Sequence, residues 1–90
     1  MPRFEWDPAK ATVNLRKHGV SFERAVQAFS DLSAIELIDD DPDEPRFIQL
    51  GMSDGEVLFV VYAERARAIR IISARKATKR EQKVYLQQSQ

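Results

Sequence analysis

The sequence predicts an α+β domain spanning residues 1–90: two N-terminal helices, a four-stranded antiparallel sheet with room for a short extra strand at the N-terminus, and a C-terminal helix. Three observations carry this reading. Helix-start chemistry occurs at Asp7-Pro8 and again at Ser21, apolar runs separated by turn residues fill positions 34–74, and a capping box opens at Thr78.

Asp7 is a helix N-cap and Pro8 suits the first helical position, while Gly19 after Lys17 and His18 supplies a C-cap with cations in the last turn. The first helix is therefore predicted over 8–18. Ala11, Leu15 and His18 share one stripe of it, and Lys10, Asn14 and Lys17 the adjacent one. Ser21 caps a second helix in which Phe22, Ala25, Val26 and Phe29 repeat as a core-facing pattern, ending near Ser30-Asp31. Extended segments are predicted at 34–38, 46–52, 56–63 and 68–74. The Asp54-Gly55 dipeptide between two of them signals a hairpin. In Thr78-Lys79-Arg80-Glu81 the threonine and glutamate can satisfy each other's amides, which starts a last helix running to about residue 87.

Ninety residues with 43% apolar content can enclose one modest core. No run of apolar residues approaches the length of a bilayer span, and the first ten residues lack the apolar centre of an export signal, so a cytoplasmic protein with no membrane partner is expected. Cysteine is absent, which removes disulfides, thiolate metal sites and cysteine nucleophiles together. The formal charge is zero, but residues 1–45 hold five basic and ten acidic side chains and residues 46–90 nine basic and four acidic. Between Arg65 and Lys83 eight cations, among them Lys76, Lys79 and Arg80, face one acid, Glu81. Such a segment suits phosphate contact; it also suits a solvated face balanced by the acidic stretch.

His18 is the single histidine, so any imidazole chemistry rests on it. It reads either as a proton-transfer or phosphate-contact group or as a helix-end cation. Arg46, Arg70 and Arg75 fall on or at the ends of predicted strands, where an arginine in an apolar pattern needs an anion or a partner. Three guanidiniums near one sheet face could hold a scissile phosphate. Equally, they could bridge to Glu44, Glu56 or Glu64. Arg70 and Arg75 have opposite parity on a straight strand, so their convergence requires a bulge or a strand end between them. The acidic run 39–44 lacks the alternating ligands of a cation loop and reads as surface. The glycines form no phosphate-binding loop. No metal or cofactor is expected.

Phe4-Glu5-Trp6-Asp7-Pro8 and Asn14-Leu15-Arg16-Lys17-His18-Gly19-Val20-Ser21-Phe22 resemble the opening of the BrnT toxin family. Arg46 with Gly51, the strand Leu58–Tyr62, and Arg70-Ile71-Ile72-Ser73-Ala74-Arg75-Lys76-Ala77-Thr78 with Glu81 and Tyr85 resemble the rest of it. The resemblance implies a RelE-like fold and a toxin of a type II toxin–antitoxin system that cleaves RNA without metal, through the ribose 2′-hydroxyl, and arrests growth. It implies a cognate BrnA-like antitoxin with a ribbon-helix-helix DNA-binding segment, in a heterotetramer. It also implies catalytic positions at Arg46, Arg70 and Arg75, with His18 or Lys17 assisting proton transfer, and RNA contacts at Lys10, Ser73, Lys76, Lys79, Arg80, Glu81 and Tyr85. The reading from a different class is a non-catalytic module whose basic half docks an acidic partner or nucleic acid.

Overall fold

In the computed structural model, which describes residues 2–88, the Asp7 carboxylate accepts the Ala9 N–H at 2.8 Å and opens helix α1, Pro8–His18. Gly19 ends that helix with φ 71°, its N–H bonded to the Leu15 carbonyl. Ser21 Oγ then accepts the Arg24 N–H at 3.0 Å and starts α2, Phe22–Gln27, which tightens into a 3₁₀ turn at Ala28–Ser30. The second helix is thus shorter than its apolar repeat predicts. At its end the Ala28 carbonyl lies against Gly51, where a β-carbon would overlap it, so a glycine is needed for this close approach.

Four strands make the expected antiparallel meander: β2 (Ile35–Asp39), β3 (Arg46–Ser53), β4 (Glu56–Arg65) and β5 (Ala68–Lys76). Asp54 and Gly55 form the β3–β4 turn with φ of 50° and 81°, the positive values that a two-residue hairpin of this hand requires. The short N-terminal strand does form, as β1 (Arg3–Glu5), but it pairs with β5 in parallel. The sheet is therefore five-stranded and mixed, in the order β1-β5-β4-β3-β2, rather than purely antiparallel. The physical reason is at Phe4 and Trp6: both pack into the core on one face, through Phe29 and Phe22, and the chain can then run on beside β5 into α1.

That face of the sheet holds the larger core, in which Leu58, Val60, Ile71 and Ala74 meet Val20, Phe22, Ala25 and Ala28. Phe22 and Ala25 are fully buried as their spacing predicts, and Phe29 packs edge-on to Tyr62. Of the two stripes of α1, Leu15 is half exposed, and it is Asn14 that turns inward. Asn14 accepts the Ala74 N–H at 3.1 Å and donates to the Ala74 and Val20 carbonyls at 2.8 and 2.9 Å. Its amide so takes the place of a neighbouring strand along β5 beyond β1. On the opposite face the last helix, α3 (Lys79–Gln88), lays Tyr85 and Val84 over Leu50, Phe59 and Val57. The Thr78–Glu81 capping box forms with bonds of 2.8 and 3.2 Å.

Candidate functional site

Parity on β5 changes between Arg70 and Arg75. Tyr62 pairs with Ile71 and Val61 with Ser73, which leaves Ile72 as an extra residue in a β-bulge. Ile71 and Ala74 consequently both enter the main core, and Arg70, Ser73 and Arg75 all project from the other face. Arg46 alternates with Leu50 and lies on that face too, level with Ala63, one step beyond the Phe47–Tyr62 pair. A row crosses all five strands there: Asp39 of β2, Arg46 of β3, Ala63 of β4, Arg70 of β5 and Glu5 of β1. Arg46 and Arg70 are two strands apart, about 10 Å between Cα atoms, with only the buried Ala63 methyl between them.

Both arginines are held from outside. Arg46 donates to Asp39 through Nε at 2.9 Å and Nη2 at 2.8 Å, with Asp41 at 3.3 Å. The bond to Asp39 raises its pKa above the ordinary arginine value despite desolvation, with Asp41 adding to the effect. Arg70 donates to Glu5 at 2.9 Å. Arg75 stands about 13 Å along β5 from Arg70 and is engaged differently. Its guanidinium makes paired bonds to Glu81 at 2.8 and 2.9 Å and lies 4.0 Å over the Phe59 ring. The Arg75 bond is the main reason that the Glu81 carboxyl is held below its usual range. The three arginines thus share a face without converging on one point. Their partners are Asp39, Asp41, Glu5 and Glu81 rather than Glu44, Glu56 and Glu64. Glu44 pairs with Arg65, and Glu56 with Arg24 of α2 and with Lys76.

The candidates on α1 meet elsewhere. Lys10, Lys17 and His18 line a cleft of about 340 Å³ between α1 and β5, together with Asn14, Ile72 and Ser73. No carboxylate lines it. Among the described residues, the side chains of Lys10, Lys17, His18 and Ser73 make no hydrogen bond or ion pair, so the cleft is rimmed by uncommitted polar groups, two of them ammonium groups, over an apolar floor that includes Val13 and Ile72. Ser73 belongs to both places, since it lines the cleft and projects from the arginine-bearing face.

The remaining candidates divide. Lys79 and Arg80 are exposed on the first turn of α3, and Lys76 reaches Glu56 at 3.2 Å. Tyr85 is 6% exposed and donates its hydroxyl to Asp31 at 2.6 Å, and Glu81 serves Arg75 and the cap, so both help to dock α3. Burial pushes the Asp31 carboxyl up, but bonds from Tyr85, Met52 and Ser33 together bring it below the usual range. Sequence reasoning did not assign Asn14, Glu5, Asp39 or Ala63. Asn14 gave no clear signal, because its stripe, Lys10, Asn14 and Lys17, is polar throughout. Glu5 and Asp39 acquire meaning only from strand register.

Among the described residues no group of three or more His, Cys, Asp or Glu side chains could hold a metal ion, and no helix is long and apolar enough to cross a membrane. Comparison with curated proteins gives no match. A family model described as "Ribonuclease toxin, BrnT, of type II toxin-antitoxin system" matches residues 6–81, which takes in β1's exit, the α1 cleft, every strand of the meander and the Arg75–Glu81 latch. The chain belongs to the BrnT family of ribonuclease toxins of type II toxin–antitoxin systems.

Proposed function

We propose that this BrnT-family ribonuclease cleaves RNA in the cytoplasm without a metal ion. The ribose 2′-hydroxyl attacks the adjacent phosphorus, the P–O5′ bond breaks, and the products carry a 2′,3′-cyclic phosphate and a 5′-hydroxyl. Arg46, Arg70 and Arg75, which share one face, turn from their carboxylate partners toward the phosphate and stabilise the charge that builds on its oxygens, and His18 or Lys17 assists proton transfer. Lys10, Ser73, Lys76, Lys79 and Arg80 hold the RNA backbone. Growth arrest follows from loss of cellular RNA, and the cognate antitoxin, BrnA-like with a ribbon-helix-helix segment, restrains the toxin in a heterotetramer.

The observation that carries this reading is the α1–β5 cleft, where uncommitted cations surround a concave space and meet the arginine face at Ser73. A phosphate bound between them presents the 2′-hydroxyl to this cleft, where His18 as a neutral imidazole accepts a proton and a lysine ammonium donates one. The carboxylates near that face are already committed to arginines, which leaves guanidinium and imidazole chemistry rather than metal ligation as the available means.

A second reading has one observation in its favour. Arg46, Arg70 and Arg75 are each already paired with a carboxylate, as suits a structural role, while Lys79 and Arg80 stay exposed to dock a nucleic acid or an acidic partner. Single-turnover cleavage of RNA by the purified protein in excess chelator separates the two. Cutting supports the ribonuclease mechanism; tight RNA binding with no cutting supports the docking module, and activity that returns only with a divalent ion overturns the metal-free step.

A further inference from the structure

The two edges of the sheet are treated differently by the fold. On one side β1 covers Ala68–Arg70 and the Asn14 amide closes β5 beyond it. On the other side β2, Ile35–Asp39, pairs with β3 and, among the described residues, has no strand beyond it. Free edges are ordinarily guarded by lysine, proline or a bulge, because their unpaired N–H and C=O groups attract other strands. β2 has none of these, although Glu36 and Asp39 put negative charge on it. Instead Ile38 is 80% exposed, Leu37 is partly so, and the fully exposed Leu32 lies just before the strand.

The segment that carries this edge is acidic throughout, although Arg46 and Arg65 neutralise Asp39, Asp41 and Glu44. Residues 31–45 hold seven carboxylates, Asp31, Glu36, Asp39, Asp40, Asp41, Asp43 and Glu44, and no lysine or arginine. Asp40 and Asp43 are exposed and without a cation. A second copy of this chain pairing β2 against β2 would bring like charges together, which is destabilising. An extended segment with apolar and basic residues would match both features.

We propose that β2 is the docking edge for the cognate antitoxin, which adds an extended strand of mixed apolar and basic character as a sixth strand of the sheet. The proposal rests on the toxin–antitoxin assignment. Main-chain bonds to β2 give the affinity, Leu37 and Ile38 receive apolar side chains, and the acidic rim selects lysine or arginine. The anchored segment is then one strand from Arg46, so a short extension reaches the arginine row and blocks RNA.

Amide hydrogen exchange of the intact toxin, alone and in complex with its purified antitoxin, tests this, with Ile38→Lys and Asp40→Lys as variants. The account expects amides of 35–39 to slow by tenfold or more in the complex. It expects each variant to weaken antitoxin binding by about tenfold or more while RNA cleavage by the free toxin is unchanged. Unaltered exchange at 35–39 in a complex that still inhibits cleavage would overturn it. So would protection that appears in the toxin alone and grows with its concentration, since the edge would then belong to a second copy. Absence of RNA cleavage by the wild-type toxin is a separate result: it bears on the ribonuclease reading, and the exchange pattern still decides the edge.

Discussion

The arginine-bearing sheet face and the α1 cleft meet at Ser73 but differ in what neutralises their charge. On the sheet each guanidinium has a carboxylate from another element: Asp39 for Arg46, Glu5 for Arg70, Glu81 for Arg75. In the cleft Lys10 and Lys17 have none among the described residues. A paired guanidinium is fixed in direction but must share or exchange its acceptor when phosphate arrives, whereas an unpaired ammonium attracts phosphate at a distance and is weakly fixed. In the proposed mechanism the two regions take different tasks, transition-state stabilisation on the sheet, and capture of the backbone together with proton transfer in the cleft.

The largest expected effect is on the sheet. Arg70→Ala is expected to lower single-turnover cleavage by one to a few orders of magnitude, the effect of losing one preorganised donor, while stability falls by about 1 kcal/mol or less because its ion pair is partly exposed. Arg75→Ala should lower cleavage comparably and also destabilise α3, since Glu81 and Phe59 lose their partner. Denaturant midpoints measured beside the rates separate the two effects. A folded variant with near-normal activity would make that arginine structural and break the comparison at its first term.

Next comes the wall between the regions. Asn14→Leu leaves the Ala74 N–H and the Ala74 and Val20 carbonyls without their partner, at about 1–3 kcal/mol for each buried group left unmade. A fall in the unfolding free energy of at least about 2 kcal/mol is expected by urea titration. If the loss is small, α1 is not anchored through this amide and the cleft's shape has another cause.

Much of this contrast is legible in the sequence, and the part that is not has a common cause. Asp7, Ser21, Thr78 and Glu81 act through neighbours a few residues away, so their caps can be read directly. The parity conflict between Arg70 and Arg75 even states that a bulge or a strand end must separate them if they share a face, and a bulge at Ile72 does so. Glu5 and Asp39, by contrast, meet Arg70 and Arg46 only through strand order, and the parallel pairing of β1 depends on Phe4 and Trp6 finding the far side of the core. Leu15 fits a core stripe by spacing, yet Asn14 faces the sheet, because an open strand edge needs hydrogen bonds more than it needs another apolar contact.

A smaller effect sharpens the contrast from the cleft's side. Lys10→Ala should weaken RNA binding with little change in the rate of the bound complex and reduce the slope of log K against log salt by roughly 0.7, the value for one contact to a single strand. Binding titrations at several salt concentrations read this, and an unchanged slope would remove Lys10 from the RNA path. Smaller still is an acid dependence. The Glu81 carboxyl is held low chiefly by Arg75, so its stabilising contribution is complete above the unfolded value of about 4.3 and is lost as pH falls through the folded one. Glu81→Gln should flatten stability between neutral and acid pH, as followed by thermal melts.

The 2′-hydroxyl mechanism is tested most directly by two oligonucleotides of one sequence, the second with a single 2′-deoxy sugar at the nucleotide that is cut, both incubated with the toxin in excess chelator. The account predicts that the all-RNA strand is cleaved to a 2′,3′-cyclic phosphate and a 5′-hydroxyl and that the deoxy-substituted strand survives at that bond. Cleavage of the substituted strand at the same bond, or products bearing a 5′-phosphate, would contradict it.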